Sequence, residues 1–193
     1  MSLLDFVIMG DLESVKYSLA NGEDPNQQNE KGYTPLMIAC CHGYLEITLE
    51  LLVHGADVSI QDEDGWNALM CCSRYGHVEV VRSVLEKCSE EDINATNKKM
   101  MTALTLAASE DKYEVVELLV ERSYRDNRSH ALLFAAGKNY PRVVDILLKH
   151  NLSLSYSRDG YTAIDLARNM NNMDIFVKLM MARSRLGGSI SSV

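Results

Sequence analysis

Apolar side chains in this chain fall into paired clusters separated by a small or polar residue. The run Thr34-Pro35-Leu36-Met37-Ile38-Ala39-Cys40 is followed by Gly43, then by the longer run Leu45-Glu-Ile-Thr-Leu-Glu-Leu-Leu52, closed by His54-Gly55. Both runs have helical spacing, so the pattern predicts helix, turn, helix, loop. The arrangement returns along the chain. Gly32-Tyr-Thr-Pro-Leu36 lies over Gly65-Trp-Asn-Ala-Leu69 at an offset of 33, and Gly43 lies over Gly76 and Gly10. The first apolar anchor recurs as Leu3, Leu36, Leu69, Leu104, Leu132 and Ile164, at spacings of 33, 33, 35, 28 and 32. A period in this range is the signature of stacked units, each too small to bury its apolar face alone. Six such units fill the chain.

The polar positions fit this phase. The residue between the two helices reads Gly10, Gly43, Gly76, Asp111, Asn139 and Asn171, all types that tolerate positive φ. The second helix opens on Glu13, Glu46, Glu79, Glu114 or Asp174, and His54, Lys87, Arg122 or His150 lies near its end, matching the helix dipole. Arg142 is the exception at the acidic position. Pro35 suits a first helical turn, and the loop Gly55-Ala-Asp-Val-Ser-Ile-Gln-Asp62 suits an extended hairpin finger.

Asp62-Glu-Asp-Gly65-Trp-Asn-Ala-Leu69, Gly76-His77-Val-Glu-Val-Val81 and Val84-Leu85, with Thr34-Pro35-Leu36 and Gly55-Ala56-Asp57-Val58, resemble the ankyrin repeat. The resemblance runs over about residues 1 to 183. It implies an all-α solenoid of helix-turn-helix units with short β-hairpin fingers, forming one domain over 1–185. Its repeats are expected at about 1–27, 28–60, 61–95, 96–123, 124–156 and 157–185, with 186–193 a flexible tail. The chain departs from the family where a Thr-Pro-Leu-His histidine is usual: Met37, Met70, Thr105, Leu133 and Asp165 stand there, so that histidine's hydrogen bonds must be absent or replaced. The third unit gains two residues around Ser89-Glu-Glu-Asp92. The fifth is shortened near Ser123 to Ser129, predicting a stunted finger. A stack needs polar ends; Ser14 and Ser18, in place of Ile47 and Leu51, predict one, and Asp165 with Asn169 to Asn172 the other.

Composition narrows the function classes. The 193 residues carry 27 acidic and 19 basic side chains, a formal charge of −8, so a field that gathers nucleic acid is not expected. No apolar run is long enough to span a bilayer, and no secretory signal opens the chain, which predicts a cytoplasmic or nuclear protein. Five cysteines, as Cys40-Cys41, Cys71-Cys72 and Cys88, lack disulfide-framework or metal spacing and read as small core residues. Phosphate-binding loops, nucleophile elbows and zinc-protease motifs are absent, so neither catalysis nor a cofactor is expected. Asn94-Ala-Thr96, Asn127-Arg-Ser129 and Asn151-Leu-Ser153 match the glycosylation pattern by chance in a non-secreted chain. The ten methionines read mainly as adaptable core filler.

What remains is a surface. The resemblance implies that finger-tip residues and those just before the interhelical turn line one concave face that binds a protein partner. By phase these include Tyr33, Cys41 and His42; Glu63, Asp64, Trp66, Arg74 and Tyr75; Lys99, Met101 and Glu110; then Lys138 and Tyr161. Trp66 beside Tyr33 and Tyr75 reads as an aromatic anchor, because these residue types bury large area with few rotatable bonds. Glu30, Glu63 and Asp64 make the first half acidic, whereas Lys98, Lys99, Arg128, Lys138 and Arg158 make the later half basic. The expected function is that of a monomeric adaptor or scaffold. Alternatives are an inhibitor or assembly chaperone masking a partner surface, and a repeat segment of a larger multidomain protein. Ser191-Ser192-Val193 also fits the C-terminal pattern that adds as a strand to a PDZ domain.

Overall fold

In a computed structural model, residues 1–187 are described; the Ser191–Val193 motif lies outside them. The chain divides into two compact units, Met1–Ala103 and Leu104 onward.

The first unit holds three helix pairs: α1 (Leu3–Met9) with α2 (Leu12–Ala20), α3 (Pro35–His42) with α4 (Leu45–Val53), and α5 (Ala68–Tyr75) with α6 (Val78–Leu85). The inner helices α1, α3 and α5 pack side by side, as do the outer helices α2, α4 and α6. Each inner helix starts on a capped turn. Ser2 and Asp5 form a capping box on α1, while Thr34 Oγ1 accepts from Met37 N and Asn67 Oδ1 from Met70 N. Such caps satisfy amides that have no intrahelical partner. Each inner helix ends in the left-handed region, at Gly10, Gly43 and Gly76. The core is the repeated anchor set: Leu3, Leu36 and Leu69 are fully buried, and so is Leu51. Met37 and Met70, in place of the family histidine, are core side chains.

Two features of this unit differ from the expectation. The two-residue insertion is a short helix, α7 (Glu90–Asn94), closed by a Ser89–Asp92 capping box and held by Asn67 Nδ2, which donates to Asp92 O at 3.0 Å. Ser18, read as part of a polar end, is buried, because the shorter serine faces the core and the polar positions of α2 are elsewhere on the helix. The apolar residues Ile8, Met9 and Tyr17 are exposed instead.

The second unit continues the pairs with α8 (Ala103–Ser109) and α9 (Tyr113–Leu119), α10 (Arg125–Gly137) and α11 (Pro141–Leu147), and α12 (Ala163–Asn169) and α13 (Met173–Gly187). Its three turns are made by Asp111, Asn139 and Asn171 at φ of 55°, 62° and 59°, so each residue predicted to take a left-handed turn does so. The finger before α12 is a β-hairpin, β1 (Ser157–Arg158) paired antiparallel with β2 (Tyr161–Thr162). Asp165, in the family-histidine position, accepts from Thr162 N at 3.0 Å and Thr162 Oγ1 at 2.6 Å, a capping box in place of the histidine's bonds. In the fifth repeat the finger is missing: α10 takes up the shortened segment as a thirteen-residue helix. Of the residues expected to make the C-terminal end polar, Asn169 and Asn171 are exposed and Asp165 and Asn172 half-buried; on α13 beyond them Met173, Val177, Met180 and Met181 are exposed at helical spacing. That helix runs to Gly187.

Candidate functional site

Three acceptor side chains build the fingers of the first unit. Asn29 Oδ1 accepts from Lys31 N and Tyr33 N, Asp62 Oδ1 from Asp64 N and Trp66 N, and Asn97 Oδ1 from Lys99 N and Met101 N, all at 2.8–3.0 Å. Short polar side chains that bond the backbone two residues on are natural turn formers. The construction fixes where Tyr33 and Trp66 leave the backbone. Reasoning from the sequence missed these acceptors, although Asn29, Asp62 and Asn97 recur at the repeat spacing, three residues before each finger turn. Neighbouring fingers join by backbone bonds, Glu63 N to Lys31 O and Lys98 N to Asp64 O, at 3.2 and 2.9 Å. A Cβ on Gly32 would lie 3.0 Å from Asp62 Cα, so the contact is backbone to backbone.

Met100 occupies the glycine position of the third of these turns, at φ 59° where Gly32 and Gly65 stand at 81° and 80°. Left-handed backbone costs a side-chain-bearing residue about 1 kcal/mol. Met100→Gly is therefore expected to raise stability by about 0.5 kcal/mol, net of glycine's greater entropy loss on folding. An unchanged or lowered urea midpoint would contradict the strain.

The first unit gathers most of the expected partner-binding residues. The Arg74 guanidinium lies 5.5 Å from the Trp66 ring centre and 5.8 Å from that of Tyr75, a cation–π contact with each. Tyr75 is half exposed and Trp66 half-buried. Burial first, then the charge of Asp62, raises the Tyr33 phenol pKa. Glu63 and Asp64 are exposed on the finger beside Trp66. His42 is exposed at the end of α3, its Nδ1 bonded to Ile38 O at 2.9 Å and its ring stacked on Tyr44. Lys99 is exposed on the next finger. Met101, expected on this face, is buried, and Met100 beside it is exposed.

The second unit carries the other three expected residues, Glu110, Lys138 and Tyr161. Glu110 is exposed at the end of α8, and Tyr161 is half exposed on β2. Lys138 Nζ donates to Ser109 O at 2.6 Å. Three of the charges read as a basic field are thus committed to the fold, since Arg128 donates to three carbonyls and Arg158 donates to His130 Nε2. His130 is buried against Phe134 and Tyr156.

Burial, and next the Arg158 charge, pull the His130 pKa down to about 4. Its ordinary value is near 6.5, so between those limits the unfolded chain binds a proton that the folded chain refuses. The neutral ring's contribution is complete above about pH 6.5 and is lost as pH falls toward 4. The expected loss is about 1–2 kcal/mol. Urea midpoints at pH 7 and 4.5 check it: His130→Gln should narrow the difference, and an equal difference in both proteins would rule it out.

Among the described residues no three His, Cys, Asp or Glu side chains are placed to hold a metal ion, and no helix is long and apolar enough to cross a membrane. Repeated helix pairs, left-handed turns and bonded fingers define a helical repeat protein. The chain belongs to the ankyrin-repeat family: a three-copy ankyrin-repeat profile matches it at residues 3–97, 44–127, 84–155 and 104–187. It is 35% identical to human short transient receptor potential channel 3 over 70 residues, 36% of this chain and 8% of the channel. Over 46 residues it is 46% identical to human protein phosphatase 1 regulatory subunit 27, covering 24% of this chain and 30% of the subunit. The chain thus matches well under two thirds of either relative.

Proposed function

We propose that this protein is a non-enzymatic adaptor that holds a protein partner on its finger and inner-helix face, centred on Trp66, Arg74 and Tyr75. Ankyrin repeats are protein-interaction modules and a non-catalytic fold. The observation that carries the reading is the Trp66–Arg74–Tyr75 cluster, with the acidic Glu63 and Asp64 exposed on the finger that carries Trp66. Aromatic and arginine side chains held together before binding lose little conformational freedom in a complex, which is why they dominate binding energy. The compartment that fits this reading is cytoplasmic or nuclear.

Affinity capture from the native cell extract, comparing the wild type with Trp66→Ala/Tyr75→Ala, tests it. The double variant is expected to keep its helix content and to bind the captured partner at least about tenfold more weakly. Equal capture by both proteins would reject this face. Likeness to a phosphatase regulatory subunit favours a second reading, in which the same face masks a partner's working surface. A masking protein lowers the partner's activity when added alone; an adaptor acts only when both of its ligands are present.

A further inference from the structure

We propose that the cleft between α11 and α13 is a second docking surface, one that takes an acidic peptide segment carrying apolar side chains. The cleft has a volume of about 670 Å3 and is lined by both helices and by the segment that follows α11. That is the size of a ligand site rather than of a packing fault. Its apolar lining runs from hidden to open: Leu152 is buried, Leu148 and Leu154 are half-buried, and Met181 is 57% exposed. Val177, one turn before Met181 on the same side of α13, and Met173, a turn before that, extend the exposed apolar surface along the helix. Methionine side chains repack easily against an incoming surface.

The charge of the cleft is opposite to that of the chain. The whole protein carries a formal charge of −8, yet the lining holds one carboxylate against three Lys and Arg side chains. The carboxylate, Asp145, is already matched: Lys178 Nζ donates to both of its oxygens at 2.7 Å. Lys149, just past the end of α11, and Arg185, on α13, add an exposed cation from each helix. The field over the cleft is therefore positive, so it draws an acidic segment and repels a basic one. Apolar side chains seated in the cleft would shield the rim pairs from water, which strengthens them.

Anionic lipid offers the same sign of charge, but the plane of a bilayer surface cannot enter a concave cleft and reach Leu152. The side chains of a peptide laid along α13 can, in the manner of an amphipathic segment in a groove. The surface uses no residue of the Trp66–Arg74–Tyr75 cluster, so it does not rest on the adaptor reading. It supplies the second ligand site that such an adaptor requires.

A peptide library displayed on phage, selected on the full chain and counter-selected on Lys149→Glu/Met181→Asp, tests the surface and its ligand class together. Both positions are exposed, so the variant is expected to melt with the wild type; where it melts earlier, Lys149→Glu alone takes its place. The selected sequences are expected to be rich in glutamate and aspartate set beside leucine or phenylalanine. Synthetic copies should bind the wild type at least about tenfold more tightly than the variant, and more weakly as salt rises. Basic sequences, or no sequence that tells the two proteins apart, would overturn the proposal. Copies that fail to bind Trp66→Ala/Tyr75→Ala would do the same, by placing the peptide on the finger face. So would phosphatidylserine vesicles that retain the wild type but not the variant when no peptide is selected, since the ligand would then be a membrane.

Discussion

Gly43→Ala is expected to destabilise the protein by about 3 kcal/mol, whereas Gly55→Ala should cost only about 1 kcal/mol. Both glycines sit at positive φ, 76° and 85°, so a Cβ strains the backbone at each. They differ in what the Cβ meets. At Gly55 nothing lies within 4 Å; at Gly43 the added atom would be 2.6 Å from His77 Nδ1 and 2.7 Å from Cε1. The His77 ring has little room to retreat, because its Nε2 lies 3.2 Å from Cys41 O, in a bond made when that nitrogen carries the proton, and its face stacks on Tyr75. Moving the ring gives up a hydrogen bond to the end of α3 as well as packing. Urea denaturation of the two variants checks the difference between them. Equal losses would mean that only the left-handed backbone matters at Gly43 and that the ring moves freely.

That contact is also where the sequence was legible only in part. The need for glycine, aspartate or asparagine between paired helices follows from backbone sterics, and the six positions could be read directly from spacing and residue type. The reason for a particular glycine at Gly43 is a tertiary neighbour, His77 of the following repeat, which no local rule supplies. The same limit explains Met101 and Met100. Repeat phase places Met101 where Tyr33 and Trp66 stand, yet Met101 is buried while those two are partly exposed, a difference set by tertiary surroundings rather than by the turn. On α13 the helical period is plain, yet the period does not reveal that Met173, Val177, Met180 and Met181 stand on the uncovered side. Repeat phase assigns Trp66, Arg74 and Tyr75 to one face, but not the contact of the guanidinium with both rings, which rests on where the Arg74 side chain folds back.

Arg128 is expected to matter more for folding than for binding, with Arg128→Ala costing about 2–3 kcal/mol. Position in the repeat assigns it to a finger tip, but this repeat has no finger, and the side chain bonds the backbone in its place. Its Nε donates to Val120 O at 2.8 Å, Nη2 to Glu121 O at 3.2 Å and Nη1 to Asn151 O at 3.1 Å. Val120 and Glu121 follow α9, and Asn151 begins the segment after α11, so one guanidinium satisfies carbonyls at the ends of two outer helices. Its planar fork of donors suits this task, and a lysine, with one nitrogen, cannot reach three divergent oxygens. Arg128→Lys should consequently recover less than half of the stability lost in Arg128→Ala. Thermal or urea unfolding of the three proteins decides the point: full recovery by lysine would show that charge near the helix ends, rather than the three-way bond, replaces the missing finger.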